Sequence, residues 1–247
     1  GGGSLDTNGV DLALAGSLGS GAGGFTKLGT GNLTLNAAAT FTGGATISAG
    51  TLTVGADDAL GVGGPLAISG ATLDLGGRSL TVSTLTASGA SVAITGTGTL
   101  TAARGFSFNQ TNDLAVAAVL AGSMGLKKSQ SSVLTLTGLS TYAGVTEVTA
   151  GTLAFDSLAN VGGGASALGA PTTTENGIIR MGLTTNGAGL RYVGAGHSSD
   201  RIIGLQGTTG TISLFANGTG ALALPSGARF EMAGNKTLTL RGTSDAA

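Results

Sequence analysis

The single histidine of the chain lies in a loop with the residue types of a serine hydrolase. His197 is followed by Ser198, Ser199 and Asp200. In a hydrolase the fold brings the serine, histidine and aspartate together from separate segments, and neighbours in one loop rarely form such a triad. The chain also lacks the G-x-S-x-G turn. We interpret His197 as part of a polar surface loop, and one histidine without cysteine does not make a zinc site.

The one acidic pair, Asp57-Asp58, is the candidate for binding a cation. Adjacent residues of a strand point to opposite faces of a sheet, so these two carboxylates do not share a site if they lie in a strand. On a turn they could hold a cation, but the calcium-binding pattern G-G-x-G-x-D is absent. We interpret the pair as a solvated turn. The sequence therefore predicts no metal-binding, cofactor-binding or catalytic residue, and no cofactor.

The composition favours a folded protein that does not bind nucleic acid. Glycine contributes 48 of 247 residues, but 41% of residues are hydrophobic and the net charge is −1, which is unlike a disordered chain. We therefore assign the glycines to turns. A net charge near zero argues against nucleic acid, which requires a basic surface. No apolar run approaches the roughly 18 residues that cross a bilayer, so membrane insertion is not expected of this segment.

Short alternating segments run along the whole chain. Apolar and small polar residues alternate over three to five positions at 33–35, 51–54, 71–75, 80–82 and 99–101, and glycine-containing turns separate them. This period of two is typical of strands buried on one face, and no helical period is sustained. The spacing allows a sandwich or barrel or a solenoid. Internal repetition favours the solenoid.

The chain contains two copies of one segment, at 24–54 and 125–155. They align without a gap at a fixed offset of 101 positions, and identical residues recur along their whole length. The identities include Lys27/Lys128, an L-T-L segment (33–35 and 134–136) and an A-G-T-L segment (49–52 and 150–153). Phe41 corresponds to Tyr142. A final alternating segment at 236–240 predicts a partial further repeat that starts at about residue 226.

Both copies resemble the autotransporter-associated beta-strand repeat, also called the passenger-associated transport repeat. The shared pattern is G-hydrophobic-x-K-x-G-x-G-x-L-T-L followed by T-aromatic-x-G-x-T-x-hydrophobic-x-A-G-T-L. The second copy departs from it at Gln130, Ser132 and Val145. The resemblance implies an all-β, right-handed parallel β-helix. With three short strands per rung, residues 1–247 form a single β-solenoid segment of roughly ten to eleven rungs with essentially no helix.

The resemblance also implies a location and a role. Proteins with these repeats are passenger domains of Gram-negative autotransporters, so the expected location is the cell surface, anchored to the outer membrane or secreted. A separate C-terminal barrel is expected in the full protein, of which this chain, beginning without Met, is an excised or processed piece. The absence of cysteine fits a chain exported unfolded through a pore. The expected role is a stalk, an adhesin or a self-association surface, with a host-cell or glycan receptor, or other bacterial cells, as partners.

Two alternative functions follow from other residue patterns. Arg180, Arg191 and Arg201 fall within one stretch, which would suit an acidic-glycan groove or a β-helix enzyme acting on polysaccharide, although the 12 acidic residues are dispersed. Outward Thr-x-Thr pairs (51/53, 99/101, 135/137 and 237/239) would suit an ice- or surface-binding face if they stacked on successive rungs. No enzyme activity is predicted from the residues themselves.

An insertion is predicted after the second copy. Ala59-Leu60-Gly61 recurs as Ala167-Leu168-Gly169 at an offset of 108 instead of 101, so the second unit has seven extra residues. We place them within 156–166. Insertions in solenoids form loops on one face, and such loops often carry binding.

Overall fold

Stacked parallel strands form the framework of the described part of the chain. The computed structural model describes residues 2–183, 186–207, 210–225, 230–232, 235 and 237–242. Within these ranges each turn of the chain places a strand beside the strand of the preceding turn, in parallel register. The architecture is therefore a β-solenoid, and we call its sides face A, face B and face C in the order in which each turn visits them.

Face A is a single sheet of eleven described strands. In order along the solenoid they are Gly3–Asp6, Phe25–Leu28, Ala45–Ile47, Leu66–Ser69, Leu85–Gly89, Phe106–Gln110, Leu126–Lys128, Thr146–Val148, Ile179–Met181, Ile203–Leu205 and Phe230–Met232. One strand per rung gives a stack of eleven described rungs.

Face B follows face A in each rung and consists of two sheets. The first contains Leu12–Leu14, Asn32–Leu35, Thr51–Val54, Thr72–Asp74 and Ala93–Thr95, and the second contains Leu114–Val116, Val133–Leu136, Gly151–Phe155, Ala188–Tyr192, Thr211–Ala216 and Thr237–Gly242.

Face C is the least regular side. Its described strands are Ser20–Gly21, Thr40–Phe41, Ser79–Val82, Thr99–Ala102, Val119–Ala121, His197–Ser198 and Leu222–Ala223. Several rungs pass through this side as turns, and one antiparallel bridge, between Ser140 and Ser166, lies there.

The rung length confirms the prediction of a short-stranded solenoid. Phe25 pairs with Ala45 on the next rung, and Leu126 pairs with Thr146, so each of these turns is short. The longest described turn runs from Thr146 to its partner Ile179. The only described helix is the single turn Thr174–Gly177, which confirms that the chain has essentially no helix.

Ladders of identical or similar apolar side chains fill the interior. On face B, Leu33, Leu52, Leu73 and Ile94 pair in register on four successive rungs, and all four are buried. Each such side chain contributes roughly 1.5–3 kcal/mol by leaving water. The alternate residues of the same strands face outward and are half-buried or exposed. The period-2 pattern of the sequence therefore corresponds directly to inward and outward positions.

A hydroxyl pair distinguishes the two repeat copies inside the core. The first copy has Phe41 and Ala45, and the second has Tyr142 and Thr146 at the equivalent positions, all four buried. The hydroxyls of Tyr142 and Thr146 lie 2.8 Å apart and form a hydrogen bond. Because a buried hydroxyl without a partner is costly, the two polar changes stabilise each other. Burial raises the pKa of the Tyr142 phenol.

Two predictions about organisation reach beyond the described residues. The partial repeat from about residue 226 begins at 226–229 and includes 233, 234 and 236, which lie outside the described ranges. Its described part, Thr237–Gly242, pairs in register with Thr211–Ala216. The division of 1–247 into one solenoid segment therefore stays a prediction.

Candidate functional site

The lysine shared by the two repeats is buried at the corner between faces A and B. Lys27 is 0% exposed. Its ammonium donates hydrogen bonds to the carbonyl oxygens of Leu28 (3.1 Å), Gly29 (2.8 Å) and Ala49 (3.1 Å), and to Thr7 Oγ1 at 3.3 Å. Ala49 belongs to the next rung and Thr7 to the preceding one. One cation therefore joins the backbones of two successive rungs and a side chain of the rung before them.

Lys128 occupies the equivalent corner of the second repeat. It is also fully buried, and its ammonium donates to the carbonyl oxygens of Ser129 and Gln130. Burial lowers the pKa of this ammonium from 10.5 to about 8, and the Asp113 carboxylate opposes the shift. Burial lowers the pKa of Lys27 in the same direction, opposed by Asp6.

The lowered pKa of Lys128 predicts a stability that rises at alkaline pH. Between pH 8 and 10.5 the folded chain has released this proton while the unfolded chain still binds it, so the free energy of unfolding increases with pH. A shift from 10.5 to about 8 corresponds to a gain of roughly 3 kcal/mol across the window. Denaturant unfolding of the wild type and of Lys128→Met from pH 7 to 10.5 should give curves that diverge by this amount. Parallel curves would contradict the assignment.

The sequence contained a signal for this burial. Lys27 is two residues after Phe25, and Lys128 is two residues after Leu126. Residues i and i+2 of a strand share a face, so each lysine lies on the inward side with its apolar neighbour. The adjacent Lys127 faces outward and is exposed. The Lys127-Lys128 dipeptide is therefore one surface cation and one core cation.

The loop around His197 does not assemble a catalytic triad. His197 is exposed, and its Nδ1 lies 2.9 Å from the hydroxyl of Tyr192. Ser199 is buried and donates to the carbonyl oxygen of Ala159 at 3.0 Å. The Asp200 carboxylate accepts from the backbone of another loop. The three groups point to different partners, so no triad forms, but the predicted polar loop is wrong in part because His197–Ser198 is a short face C strand and Ser199 is buried.

Asp57 and Asp58 have a structural role that the sequence interpretation missed. The Asp57 carboxylate accepts a hydrogen bond from the backbone N–H of Ser79 at 2.8 Å, and Asp58 accepts from Thr81 at 2.7 Å. Both donors belong to a face C strand of the next rung, beside a stretch with no described strand of its own on this face. The carboxylates therefore supply the acceptors that a strand would otherwise provide.

Arg180, Arg191 and Arg201 do not form one groove. Arg180 lies on face A and pairs with Glu147 (Nη1 to Oε1, 3.7 Å) and with Glu175. Arg191 lies on face B. Arg201 is 1% exposed and buried inside the solenoid wall. Their proximity in the sequence does not persist because one turn of the solenoid carries them to different sides.

The insertion after the second repeat is larger than the sequence comparison indicated. Residues 156–178 separate the strand that ends at Phe155 from the strand that begins at Ile179, whereas 55–65 suffice in the first copy. Leu60 and Leu168 are both buried, so these residues mark equivalent points. Seven residues are added before that point and five after it. The second addition was not predicted because no repeat motif follows Gly169.

Residues 199–201 of the following rung hold the insertion in place. The Asp200 carboxylate accepts from the N–H of Val161 at 2.8 Å, and the Asp200 N–H donates to Asn160 Oδ1 at 3.1 Å. Arg201 donates from Nε to the carbonyl oxygen of Gly177 (2.7 Å) and from Nη1 to that of Leu168. Burial lowers the pKa of Arg201 to about 10, so it remains charged at neutral pH. Both halves of the insertion are therefore fixed to the solenoid.

A groove of about 620 Å³ lies on face A beside the insertion. Its floor carries the outward column Thr86, Ser107, Lys127, Glu147 and Arg180, which are register partners on successive rungs. Asn176, from the helical turn of the insertion, forms one wall. The guanidinium of Arg180 is paired with two carboxylates, whereas Arg104 and Lys127 add two further cations to the lining, so the groove keeps a positive balance.

A second cleft, of about 650 Å³, lies on the outer side of face B and its corner with face A. Its lining is mainly small and polar: Ser129, Gln130, Ser131, Thr149, Thr152, Asn186, Gly189, Thr211 and Ser213, with Phe215 as an aromatic wall. This cleft was not predicted from the sequence. Its residues come from several rungs and share no local motif.

The Thr-x-Thr pairs do not form a continuous array in the described rungs. Thr51 and Thr53 lie on face B between Asn32/Thr34 on one side and Thr72/Asp74 on the other. Thr99 and Thr101 lie on face C, between Ser79/Thr81 and Val119/Ala121. Since no pair stacks on another pair, the condition for an ice-binding face is not met there.

Comparison with known proteins gives the family. The model of the passenger-associated-transport-repeat family matches residues 25–54 and 126–155, the two segments identified by internal repetition. Over 234 residues, 91% of the chain, the sequence is 36% identical to the adhesin BmaC autotransporter of Brucella suis biovar 1 (strain 1330). The chain carries two passenger-associated transport repeats. It spans 6% of the length of that relative. No solved structure matches it.

Some of the residues shared by the two passenger-associated transport repeats build the corner around the lysine. Gly50 and Gly151, of the two A-G-T-L segments, have φ of +64° and +70°. A Cβ at Gly151 would lie 2.2 Å from the carbonyl oxygen of Gln130 and 2.5 Å from that of Ser132. Only glycine fits this position, because both the conformation and the space exclude a side chain.

Neither a metal cluster nor a membrane-spanning helix occurs in the described ranges. No group of three or more His, Asp and Glu residues there is arranged to hold a metal ion. Within the same ranges, no helix is long and apolar enough to cross a membrane.

Proposed function

We propose that this chain is an adhesive segment of an autotransporter passenger, displayed on or released from the surface of a Gram-negative bacterium. The observation that carries the proposal is the similarity to an adhesin autotransporter along 91% of the chain. The partners would be a receptor or glycan on host cells, or the same protein on neighbouring bacteria. The role is structural and adhesive rather than enzymatic.

The solenoid supports this role in two ways. Eleven rungs at a strand spacing of about 4.8 Å give a rod roughly 50 Å long, with three sides available for contact. Each rung contacts chiefly its neighbours, so rungs can form one after another as the chain emerges from a pore. The chain has no cysteine, so no disulfide can form before export.

The test is the retention of labelled chain on host cells, on bacteria of the source type and on a glycan panel. We expect saturable retention that unlabelled chain displaces. Binding only to bacteria of the source type would identify self-association as the adhesive mode. If none of these surfaces retains the chain saturably, the adhesive role is contradicted. The segment would then be a spacer.

The insertion provides a matched variant for this test. Residues 162–165, which we call the tip of the insertion, are exposed, whereas Ser157 and Leu158 are buried. The tip can therefore be replaced by one glycine while Asn160 and Val161, which bond to Asp200, are kept. We expect an unchanged melting temperature. Loss of retention in this variant would assign the contact to the tip, and full retention would assign it to the solenoid sides.

A further inference from the structure

The face B cleft lies where corners of different length are stacked on one another. In the rung of the second repeat, two residues join Val148 to the strand that begins at Gly151. In the next rung six positions of the sequence separate Met181 from the strand that begins at Ala188, and in the one after it five positions separate Leu205 from the strand that begins at Thr211. Asn186 of the longer corner lines the cleft together with Gly151 of the short one. The recess therefore lies over the short corner, on the outer surface.

Gly189 lines the recess on face B. It is the register partner of Thr152 on one side and of Ser213 on the other, at an outward position. A Cβ at Gly189 would lie 2.7 Å from Thr152 Oγ1 and 3.1 Å from Phe215 Cε2. Because residue 189 has no side chain, the Thr152 hydroxyl and the edge of the Phe215 ring close over its buried backbone, and Ser213 lies beside it on the next rung.

Two arginines flank that aromatic ring. Arg191, Phe215 and Arg241 are register partners on three successive rungs. The Cζ atoms of Arg191 and Arg241 lie 5.2 Å and 5.9 Å from the centroid of the ring. Stacking of this kind orients a guanidinium and leaves its N–H edges available. The two cations are separated by two strand spacings, roughly 10 Å.

No carboxylate in the described residues neutralises these cations. The ion pairs found there all belong to Arg180. The four face B strands of this region, Gly151–Phe155, Ala188–Tyr192, Thr211–Ala216 and Thr237–Gly242, contain no Asp or Glu. The Nε of Arg191 is buried and has no hydrogen-bond partner. This surface is therefore positive in a chain whose net charge is −1.

We propose that this cleft and the column Arg191–Phe215–Arg241 bind an anionic saccharide. Guanidinium groups pair with carboxylate or sulfate oxygens through two parallel hydrogen bonds. The hydroxyl and amide groups of the lining suit sugar hydroxyls, and Phe215 offers an apolar contact for ring carbons. Two cations separated along the solenoid axis suit a linear chain with repeated charges. The assignment rests on the proposed adhesive function and names its ligand class.

Direct titration of the whole chain tests the assignment. The probes are a heparin-derived hexasaccharide for sulfate, an oligogalacturonate for carboxylate, a neutral cello-oligosaccharide and a single-stranded oligonucleotide. We expect at least one anionic saccharide to bind saturably and the neutral one not to bind. The anionic probe that binds more tightly shows whether the site prefers the sulfate or the carboxylate groups of the saccharide. Equal binding of the neutral saccharide, or stronger binding of the oligonucleotide, would overturn the proposal.

Charge-removing variants locate the site. Arg191→Gln with Arg241→Gln should weaken binding by roughly tenfold or more, the loss expected for charge-assisted contacts. Phe215→Leu should weaken it less. The matched control is Arg78→Gln, an exposed arginine in the first half of the chain, which should leave the affinity within about twofold. Equal affinities of the double variant and the wild type would overturn the assignment. Melting curves that are nearly the same for all variants would exclude a folding defect.

The same variants separate this proposal from the adhesive function. If cells retain the wild type and the double variant to the same extent, the saccharide site is overturned. The adhesive function then remains supported. Saccharide binding by a chain that no cell surface retains would support the site and contradict adhesion.

Discussion

Replacing Lys27 by methionine should lower the free energy of unfolding by about 2–4 kcal/mol, because two backbone carbonyl oxygens lose a charged hydrogen-bond donor. Methionine keeps the apolar stem but removes the ammonium from the carbonyl oxygens of Gly29 and Ala49, whereas the Leu28 carbonyl oxygen still accepts from the N–H of Thr7. Each unpaired buried carbonyl costs about 1–3 kcal/mol. Relief of the desolvation that lowers the pKa of Lys27 offsets part of this cost.

Lys127→Met is the matched control for this prediction. Lys127 faces outward and is exposed, so its replacement should change the free energy of unfolding by no more than about 0.5 kcal/mol. Denaturant unfolding gives the global value. Amide hydrogen exchange in Asn32–Leu35 gives the local value, because rungs of a solenoid unfold in part independently. Equal effects of the two substitutions would show that the ammonium of Lys27 does not hold the corner.

Gly151→Ala should destabilise the chain by more than about 3 kcal/mol, as expected where strain and overpacking combine. The left-handed backbone conformation of residue 151 (φ +70°) disfavours a side chain. The added Cβ would also meet two backbone carbonyl oxygens at 2.2 Å and 2.5 Å. These oxygens belong to the corner of the preceding rung, so neither can move without separating the stacked strands.

Gly63→Ala separates the two causes. Gly63 has φ of +77°, but a Cβ there would have no heavy atom within 4 Å. Its replacement should therefore cost only the conformational strain, about 1 kcal/mol. Thermal or denaturant unfolding of the two variants measures the difference. A Gly151→Ala variant no less stable than Gly63→Ala would mean that the stacked corners are not in close contact.

The architecture could be predicted from the sequence because each strand and each corner is specified by residues that are close together in the chain. Alternation over three to five residues defines which side chains face inward, as the buried ladder from Leu33 to Ile94 confirms. The internal repeat of 101 positions implies a whole number of turns, and five turns separate Lys27 from its equivalent Lys128 along face A. The glycines and the A-G-T-L segments mark corners for the same local reason.

The surfaces could not be predicted in the same way. Partners on neighbouring rungs are separated by the length of a turn, and this length varies: Phe25 pairs with Ala45, whereas Thr146 pairs with Ile179. A small error in turn length moves a side chain to a different position or side. For this reason Arg180, Arg191 and Arg201, which are close in the sequence, occupy different environments.

The sequence by itself determined the all-β solenoid, its approximate number of rungs and its repeat family, because these depend on short-range periodicity and on motifs. Only the tertiary structure decided that the buried Lys27 bonds to both neighbouring rungs. It alone assembled Arg191, Phe215 and Arg241 into one column. The physical reason is that stacking joins residues a full turn apart, so the chemistry of a solenoid surface depends on the sum of all the turns and insertions that precede it.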